Sequence, residues 1–254
     1  MLQVKNLDVV VGQKVLVGDL SFNVELGQNW AILGANGTGK TSLVRLLSGI
    51  TKPNQNDILV NEISMSAYSK KSLAKEVGLL PQFEEHNYWG LVGEYVGLGR
   101  FAHAVGLWGQ SESDQLMTSK SLENFEIEHL SHREYRGLSG GERQRARLAS
   151  LMAQDPKIFL WDEPLENLDY SGQMKFLSWI SKIVRTNNKA SMMVIHDINL
   201  ASRFFTHTLM VFKDGTYLSG VCAEIMTSEN LSGLYGTRFD QVLHGEAKLF
   251  VPSR

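Results

Sequence analysis

The chain has 254 residues, 43% of them hydrophobic and 20% charged, with a formal net charge of −2. That size suits one larger domain, or one domain with an inserted lobe, and the composition is that of an ordinary soluble globular protein whose core needs no disulfide or metal staple. The near-balanced charge offers no electrostatic footprint for nucleic acid, and a single cysteine, Cys222, excludes an internal disulfide framework and reads as a small apolar core residue.

The start, Met1 to Asn6, lacks the basic residues and apolar run of a secretory signal. No apolar stretch approaches the ~20 residues needed to cross a bilayer, so service at a membrane is expected to run through docking on another chain. Leu7–Val11, Val15–Val17 and Phe22–Leu26 read as short strands separated by turn residues. Trp30–Leu33 reads as a strand buried on both faces, followed by a glycine-rich turn and a helix with Leu43, Leu46 and Leu47 on one side. Asp57–Val60 and Val77–Leu80 read as further strands.

From about Leu91 to Ala153 helical spacing takes over, with a polar linker at Gly109-Gln110-Ser111-Glu112-Ser113-Asp114 and a last helix beginning near Ser139. The expected organisation is one domain, with an α/β core over 1–90 and 154–254 and a helical subdomain inserted at 91–153. Ile158–Trp161 and Ser191–Ile195 read as buried strands ending in Asp162-Glu163 and His196-Asp197, with a helix over Met174–Val184 between them. Strands alternating with helices predict an α/β fold with a mostly parallel sheet, N-terminal antiparallel strands and the inserted helical lobe. After Thr208 the pattern predicts two short strands around Asp214-Gly215, small helices, and a final strand near Leu249–Val251.

Gly34-Ala35-Asn36-Gly37-Thr38-Gly39-Lys40-Thr41 fits the P-loop spacing, with Ser42 following, so the expected α/β core over 1–90 and 154–254 is a nucleotide-binding, P-loop NTPase core. Triphosphate oxygens must approach backbone amides closely, which requires glycine at the bends, and the start of the next helix adds a positive dipole end. Lys40 is expected on the β/γ-phosphates and the Thr41 hydroxyl on Mg²⁺. At the end of its apolar strand, Asp162 is placed to hold Mg²⁺ and Glu163 to orient or deprotonate the attacking water. Leu138-Ser139-Gly140-Gly141-Glu142 reads as a capped helix start with exposed amides, a second phosphate-binding terminus.

With these motifs the chain closely resembles the ABC ATPase family along essentially its whole length. The resemblance implies ATP and Mg²⁺ as ligands and a homodimer packed head to tail, in which the P-loop of one copy and Leu138–Glu142 of the other enclose each ATP. It further implies that Gln82 contacts Mg²⁺ and senses a membrane partner, that His196 contacts the γ-phosphate, and that Asp169 is the D-loop aspartate. Three positions depart from the family pattern. Val11 replaces the aromatic residue that stacks on adenine, which leaves the base held by packing alone. Leu165 and Glu166 replace the common threonine and serine after Asp-Glu-Pro, and Glu166 adds a charge near the expected interface.

Gly99-Arg100-Phe101-Ala102-His103, His196–Ala201 and Leu231–Gly236 resemble segments of importers for iron-siderophore, haem and cobalamin. That likeness implies integral membrane permease subunits, a periplasmic or surface substrate-binding protein reached indirectly, a place on the cytoplasmic face of the membrane, and no nucleic acid. The plain alternative for Arg100 and His103 is a solvated loop or helix end. Phe83, Tyr88, Trp89, Leu91 and Val92 either face the membrane subunit or fill the helical lobe's own core. Rival functions are the ATPase of another metal or oxyanion importer or of an exporter, a DNA-repair or translation ATPase, and a nucleotide-binding module without turnover. The absence of coiled-coil heptads and of a second cassette disfavours the repair and translation readings, and the intact Glu163 and His196 disfavour the last.

Overall fold

In β1 (Leu2–Val11), Leu2, Val4, Leu7 and Val9 are buried while most of their neighbours face outward, the signature of a strand with one wet face. The computed structural model describes residues 1–53, 57–83, 88–104, 111–245 and 247–253, apart from the side chains of 244 and 247. β1 pairs antiparallel with β2 (Lys14–Val24), from Leu2 opposite Val24 to Val11 opposite Lys14, and on its other edge with β4 (Ile58–Val60), which continues into β5 (Ile63–Ser64). The two strands expected at Val15–Val17 and Phe22–Leu26 are one. Register shifts along β1, with Asn6 and Asp19 in left-handed conformation, absorb the turn-type residues inside the pairing.

The second sheet has the order β10-β9-β3-β8-β7-β6, formed by β3 (Asn29–Gly34), β6 (Val77–Leu80), β7 (Ile158–Asp162), β8 (Ala190–Val194), β9 (His207–Val211) and β10 (Tyr217–Val221). Its pairings are parallel except for β9 with β10, the hairpin around Asp214-Gly215. The continuous apolar runs have a direct cause: successive residues bury against different cores. Trp30, Ile32, Ile158, Leu160, Met192 and Val194 join α1 (Lys40–Leu47) and the N-terminal sheet on one face. Ala31, Leu33, Phe159, Trp161 and Met193 join the helices on the other.

That second face carries α3 (Val92–Gly97), α4 (Glu112–Asn124), α5 (Gly140–Gln154) and α6 (Tyr170–Thr186), with α2 (Lys70–Glu76) leading into β6. α6 extends beyond the expected Met174–Val184 because Asp169 caps it, accepting from Gly172 N at 2.8 Å. Ser111 and Asp114 form a capping box at the head of α4; the Gly109-Gln110 part of the expected linker lies outside the described residues. Then come α7 (Ile198–Phe204), α8 (Cys222–Ile225), α9 (Ser228–Tyr235) and the hairpin β11 (Phe239–His244) with β12 (Ala247–Pro252). The final strand was expected and β11 was not. β11 leaves Val242 and Leu243 exposed, so its residues lack the alternation that marks a half-buried strand. Cys222 is buried.

Arg100 and His103 do not lie in a solvated loop. Arg100 is buried and donates from Nε to Asp114 Oδ1 at 2.8 Å and from Nη1 to the Ala153 carbonyl at 2.7 Å; His103 Nε2 bonds the Gln154 carbonyl at 2.8 Å. The two side chains tie the 3₁₀ turn Leu98–Ala102 to α4 and to the end of α5. The expected aromatic cluster divides as well. Val92 is fully buried and Tyr88 packs on the same core, whereas Phe83 and Trp89 are about four-fifths exposed, at 80% and 79%. Among the described residues no helix is long and apolar enough to cross a membrane.

Candidate functional site

The site is built where β3 ends and α1 begins. Gly34 leaves the sheet against β9 so closely that a Cβ there would lie 2.6 Å from the Val211 carbonyl oxygen and 2.9 Å from Thr38 Oγ1. Gly37 and Gly39 take φ of 80° and 95°, which side-chain-bearing residues rarely adopt. α1 has no side-chain cap at Gly39, so its first amides are left for a ligand. Lys40 donates from Nζ to the carbonyls of Gly34 and Ala35, both at 2.9 Å, and Thr38 Oγ1 donates to Ala35 O at 3.1 Å. Burial pulls the Lys40 ammonium below its ordinary range, with Glu163 and Asp162 opposing that pull.

The parallel strand β7 delivers Asp162 and Glu163 next to this loop. Thr41 Oγ1 donates to Asp162 Oδ1 at 3.3 Å. Burial lifts the Asp162 carboxyl above its usual range, the bond from Thr41 opposes, and Glu163 adds to the rise. Glu163 sits in left-handed conformation at φ 53°. Its Oε2 accepts from Gln82 Nε2 at 3.0 Å and its Oε1 lies 2.9 Å from His196 Nε2. Gln82 follows β6 and His196 follows β8, so the carboxyl-terminal ends of neighbouring parallel strands converge on one carboxylate.

Asn36, Gly37, Gly39, Lys40, Thr41, Ser42, Gln82, Glu163 and His196 line a single cleft of about 700 Å³, with Gly34, Thr38 and Asp162 immediately behind. Val11 lies at its edge beside Leu16, half exposed, an apolar surface without a ring. Lys14, Leu16 and Glu166 line the cleft too and were not expected in it. Lys14 and Leu16 belong to a strand distant in sequence from the loop, and among nearby residues only the identity of Glu166, a charge at an unusual place, carried a signal.

The structure does not bring every expected residue here. Among the described residues lining the cleft, none comes from Leu138–Glu142. Leu138 is buried in the helical core, Ser139 and Gly140 face solvent, and Ser139 caps α5 by accepting from Glu142 N at 3.3 Å while Glu142 Oε2 accepts from Ser139 N at 2.8 Å. Asp169 caps α6 away from the cleft. Asp197 caps α7, accepting from Asn199 N and Leu200 N at 2.8 and 3.0 Å.

α5 nevertheless reaches the cleft from behind. Arg147 donates to the Pro81 carbonyl, to the Gln82 carbonyl at 3.5 Å and to Gln144 Oε1 at 2.7 Å; Gln144 Nε2 donates to the Pro164 carbonyl at 2.7 Å. One buried pair, three positions apart on α5, thus holds the backbone beside both Gln82 and Glu163. Polar residues on the apolar side of a helix are the sequence signal for such a brace, though not for its target.

A divalent cation of the Mg²⁺ kind fits these donors. The Thr41 hydroxyl, the Asp162 carboxylate and the carbonyl oxygen of Gln82 are hard oxygen ligands, few in number, which suits an ion that keeps waters and phosphate oxygens.

A family model described as ABC transporter matches residues 17–166. An ABC transporter ATP-binding protein of Methanocaldococcus jannaschii is 34% identical over 93% of this chain and 91% of its own length. The iron(3+)-hydroxamate import ATP-binding protein FhuC of Bacillus subtilis is 31% identical over 92% of this chain and 87% of its own. The petrobactin import ATP-binding protein FpuD of Bacillus anthracis is 30% identical over 89% and 82%. An inward-facing metal-chelate type ABC transporter superposes with a TM-score of 0.84 at 29% identity, covering 100% of this chain and 97% of that one.

Proposed function

This chain belongs to the ABC transporter family and is the ATP-binding, ATP-hydrolysing subunit of such a transporter, and from that premise we propose that it powers import of an iron-siderophore or related metal chelate, with haem and cobalamin as further candidates. The observation that carries the ATPase chemistry is the convergence of Lys40, Thr41, Asp162, Gln82, Glu163 and His196 on one cleft. The import reading rests on the relatives named for siderophore import and on the metal-chelate type structure.

In the proposed mechanism the amides at the start of α1 and Lys40 hold the phosphates. Thr41, Asp162 and Gln82 would hold Mg²⁺, which when bound neutralises charge on the phosphates. Glu163 accepts a proton from the attacking water, and His196, now on Glu163 Oε1, turns to the γ-phosphate. The position of Leu138–Glu142 outside the cleft leaves the far side of the nucleotide to a second copy, so the working unit is a head-to-tail homodimer. Phe83, Trp89, Leu98 and Phe101, large apolar groups left exposed between Gln82 and the helices that follow it, are offered as the contact for membrane permease subunits. A substrate-binding protein on the far side would deliver the cargo, which places this chain at the cytoplasmic face of the membrane.

The test is uptake. Cells carrying the native chain or Lys40→Ala are offered labelled iron-siderophore, haem and cobalamin in parallel. Selective loss of one in the variant supports the reading and names the cargo; unchanged entry of all three removes the siderophore, haem and cobalamin assignment, leaves the ATPase in place and turns the search to other metals or to export.

A further inference from the structure

α7, the helix that follows His196, has seven residues, too few to be stable without tertiary support. It buries Leu200 and Ala201, and Asp197 caps it through Asn199 N and Leu200 N. A further hold comes from the end of the chain. Among the described residues the β11–β12 hairpin is a two-stranded sheet, so β12 has an edge without a strand partner. Asn199 occupies that edge. Its Oδ1 accepts from Phe250 N at 2.8 Å and its Nδ2 donates to Phe250 O at 3.2 Å, so the side-chain amide pairs with Phe250 as a peptide unit of a third strand would. One turn on, Ser202 Oγ donates to Lys248 O at 3.5 Å. Residues three apart share a face of a helix, and residues two apart on a strand turn their backbone groups to the same edge, so α7 lies along β12 in a defined register. The strand it grips is itself anchored: Phe250 is 1% exposed and buried in the same core as Leu200 and Ala201.

The consequence falls on His196. Just before it, Ile195 N donates to Ile32 O at 3.3 Å, which pins the chain to β3. Just after it, Asp197 Oδ1 accepts from Asn199 N at 2.8 Å, which joins the chain to α7. His196 thus stands on a short bridge between the sheet and α7, with its Nε2 2.9 Å from Glu163 Oε1. A shift of α7 along the β12 edge passes through this bridge to the imidazole, and a displacement of about 1 Å costs on the order of a hundredfold in rate.

We propose that Asn199 is a positioning residue: by pairing its amide with the free edge of β12 it holds α7 in place, and through the Asp197 cap it sets where His196 stands against Glu163 and the γ-phosphate. This rests on the reading of His196 and Glu163 as parts of the hydrolytic site. It gives the carboxyl-terminal hairpin a part in hydrolysis, although none of the described residues lining the cleft comes from it.

The experiment uses the full chain, assembled with its membrane subunits for turnover and by itself for ATP binding and NMR. Asn199→Ala, His196→Ala and the double variant are compared with the native protein. In Asn199→Ala, kcat at saturating ATP falls about ten- to a hundredfold. ATP affinity stays within about twofold, because no group of the phosphate loop is touched. In the His196→Ala background the same substitution changes kcat by less than about twofold, the non-additivity of a residue that acts through another. A residue that only stabilises the fold lowers both backgrounds alike. The ring signals of labelled histidine give a readout that a low rate cannot hide: the His196 signal, identified by its loss in His196→Ala, moves in Asn199→Ala. Where Asn199→Ala yields no folded protein, Asn199→Asp carries the same comparison, since it keeps the bond from Phe250 N and loses the one to Phe250 O. Native kcat in the Asn199 variant, an equal fall in both backgrounds, or an unmoved His196 signal overturns the proposal. His196→Ala separates the levels: native-rate hydrolysis there removes the hydrolytic reading of His196, whereas an impaired His196→Ala beside an Asn199 variant of native rate removes the role of Asn199 alone.

Discussion

Lys40 Nζ lies 2.9 Å from the carbonyl oxygen of Gly34, six residues earlier in the same loop. Lys40 is 6% exposed, and its ammonium is held by two carbonyls rather than by a carboxylate. Phosphate oxygens therefore take over an ammonium that the loop already orients. Removing it with Lys40→Ala should weaken ATP binding about ten- to a hundredfold, the worth of a charge-assisted bond. Titration with a fluorescent ATP analogue measures this, and native affinity would place Lys40 off the phosphates.

Glu163 holds both Gln82 and His196. Glu163→Gln keeps the size of the side chain but removes its basicity, so ATP binding should persist while turnover falls by about a hundredfold or more. Single-turnover hydrolysis measures the chemical step directly. A variant that turns over at the native rate would move the base to another group.

Arg147 carries the brace from α5 to the backbone at Pro81 and Gln82. Arg147→Ala leaves those carbonyls and Gln144 without their donor and should cost about 2–4 kcal/mol of stability. Arg147→Lys should recover little, because an ammonium does not reproduce the forked geometry. Urea unfolding of the two variants decides between a forked brace and a mere charge.

The buried pair Arg100–Asp114 gives an acid signature. Asp114 is held down to about 2 from 3.8, by its hydrogen bond from Ser111 first and by Arg100 as well. A depressed folded-state carboxyl stabilises fully above its unfolded value and loses that contribution as pH falls through the folded one. Stability should therefore drop by on the order of 2 kcal/mol between about pH 4 and pH 2, and Asp114→Asn should flatten that drop. Thermal midpoints over this range supply the check.

Ser139 caps α5 and faces solvent. Ser139→Ala should cost about 1 kcal/mol as a lost cap. Ser139→Arg loses the same cap and also places a bulky cation where a second copy is proposed to dock, so its turnover should fall well below that of Ser139→Ala at comparable stability. Equal turnover in the two variants would argue against pairing through this surface.

The strands of the parallel sheet, the loop from Gly34 to Thr41, and the acids closing β7 were all legible in the chain. Each is a short-range pattern: an apolar run, glycines at set spacing, a carboxylate pair after a strand. Elements whose cause is tertiary were less legible. β11 has exposed apolar residues without alternation, and β2 runs through Gly18-Asp19 because β1 supplies a matching irregularity that local preference does not reveal.

The same division runs through the site. The sequence by itself determined the family, the phosphate loop, and which carboxylates, amide and imidazole stand at strand ends, because chemistry of that kind demands particular residues at particular spacings. Only the tertiary structure decided that Arg100 lies buried against Asp114, that Arg147 reaches the backbone of Gln82, and that Glu166 lines the same cleft as Glu163. Those outcomes depend on which distant segments meet and on how much water is left between them. A charge reads the same in a sequence whether it ends in solvent or against a partner, and burial is what separates the two.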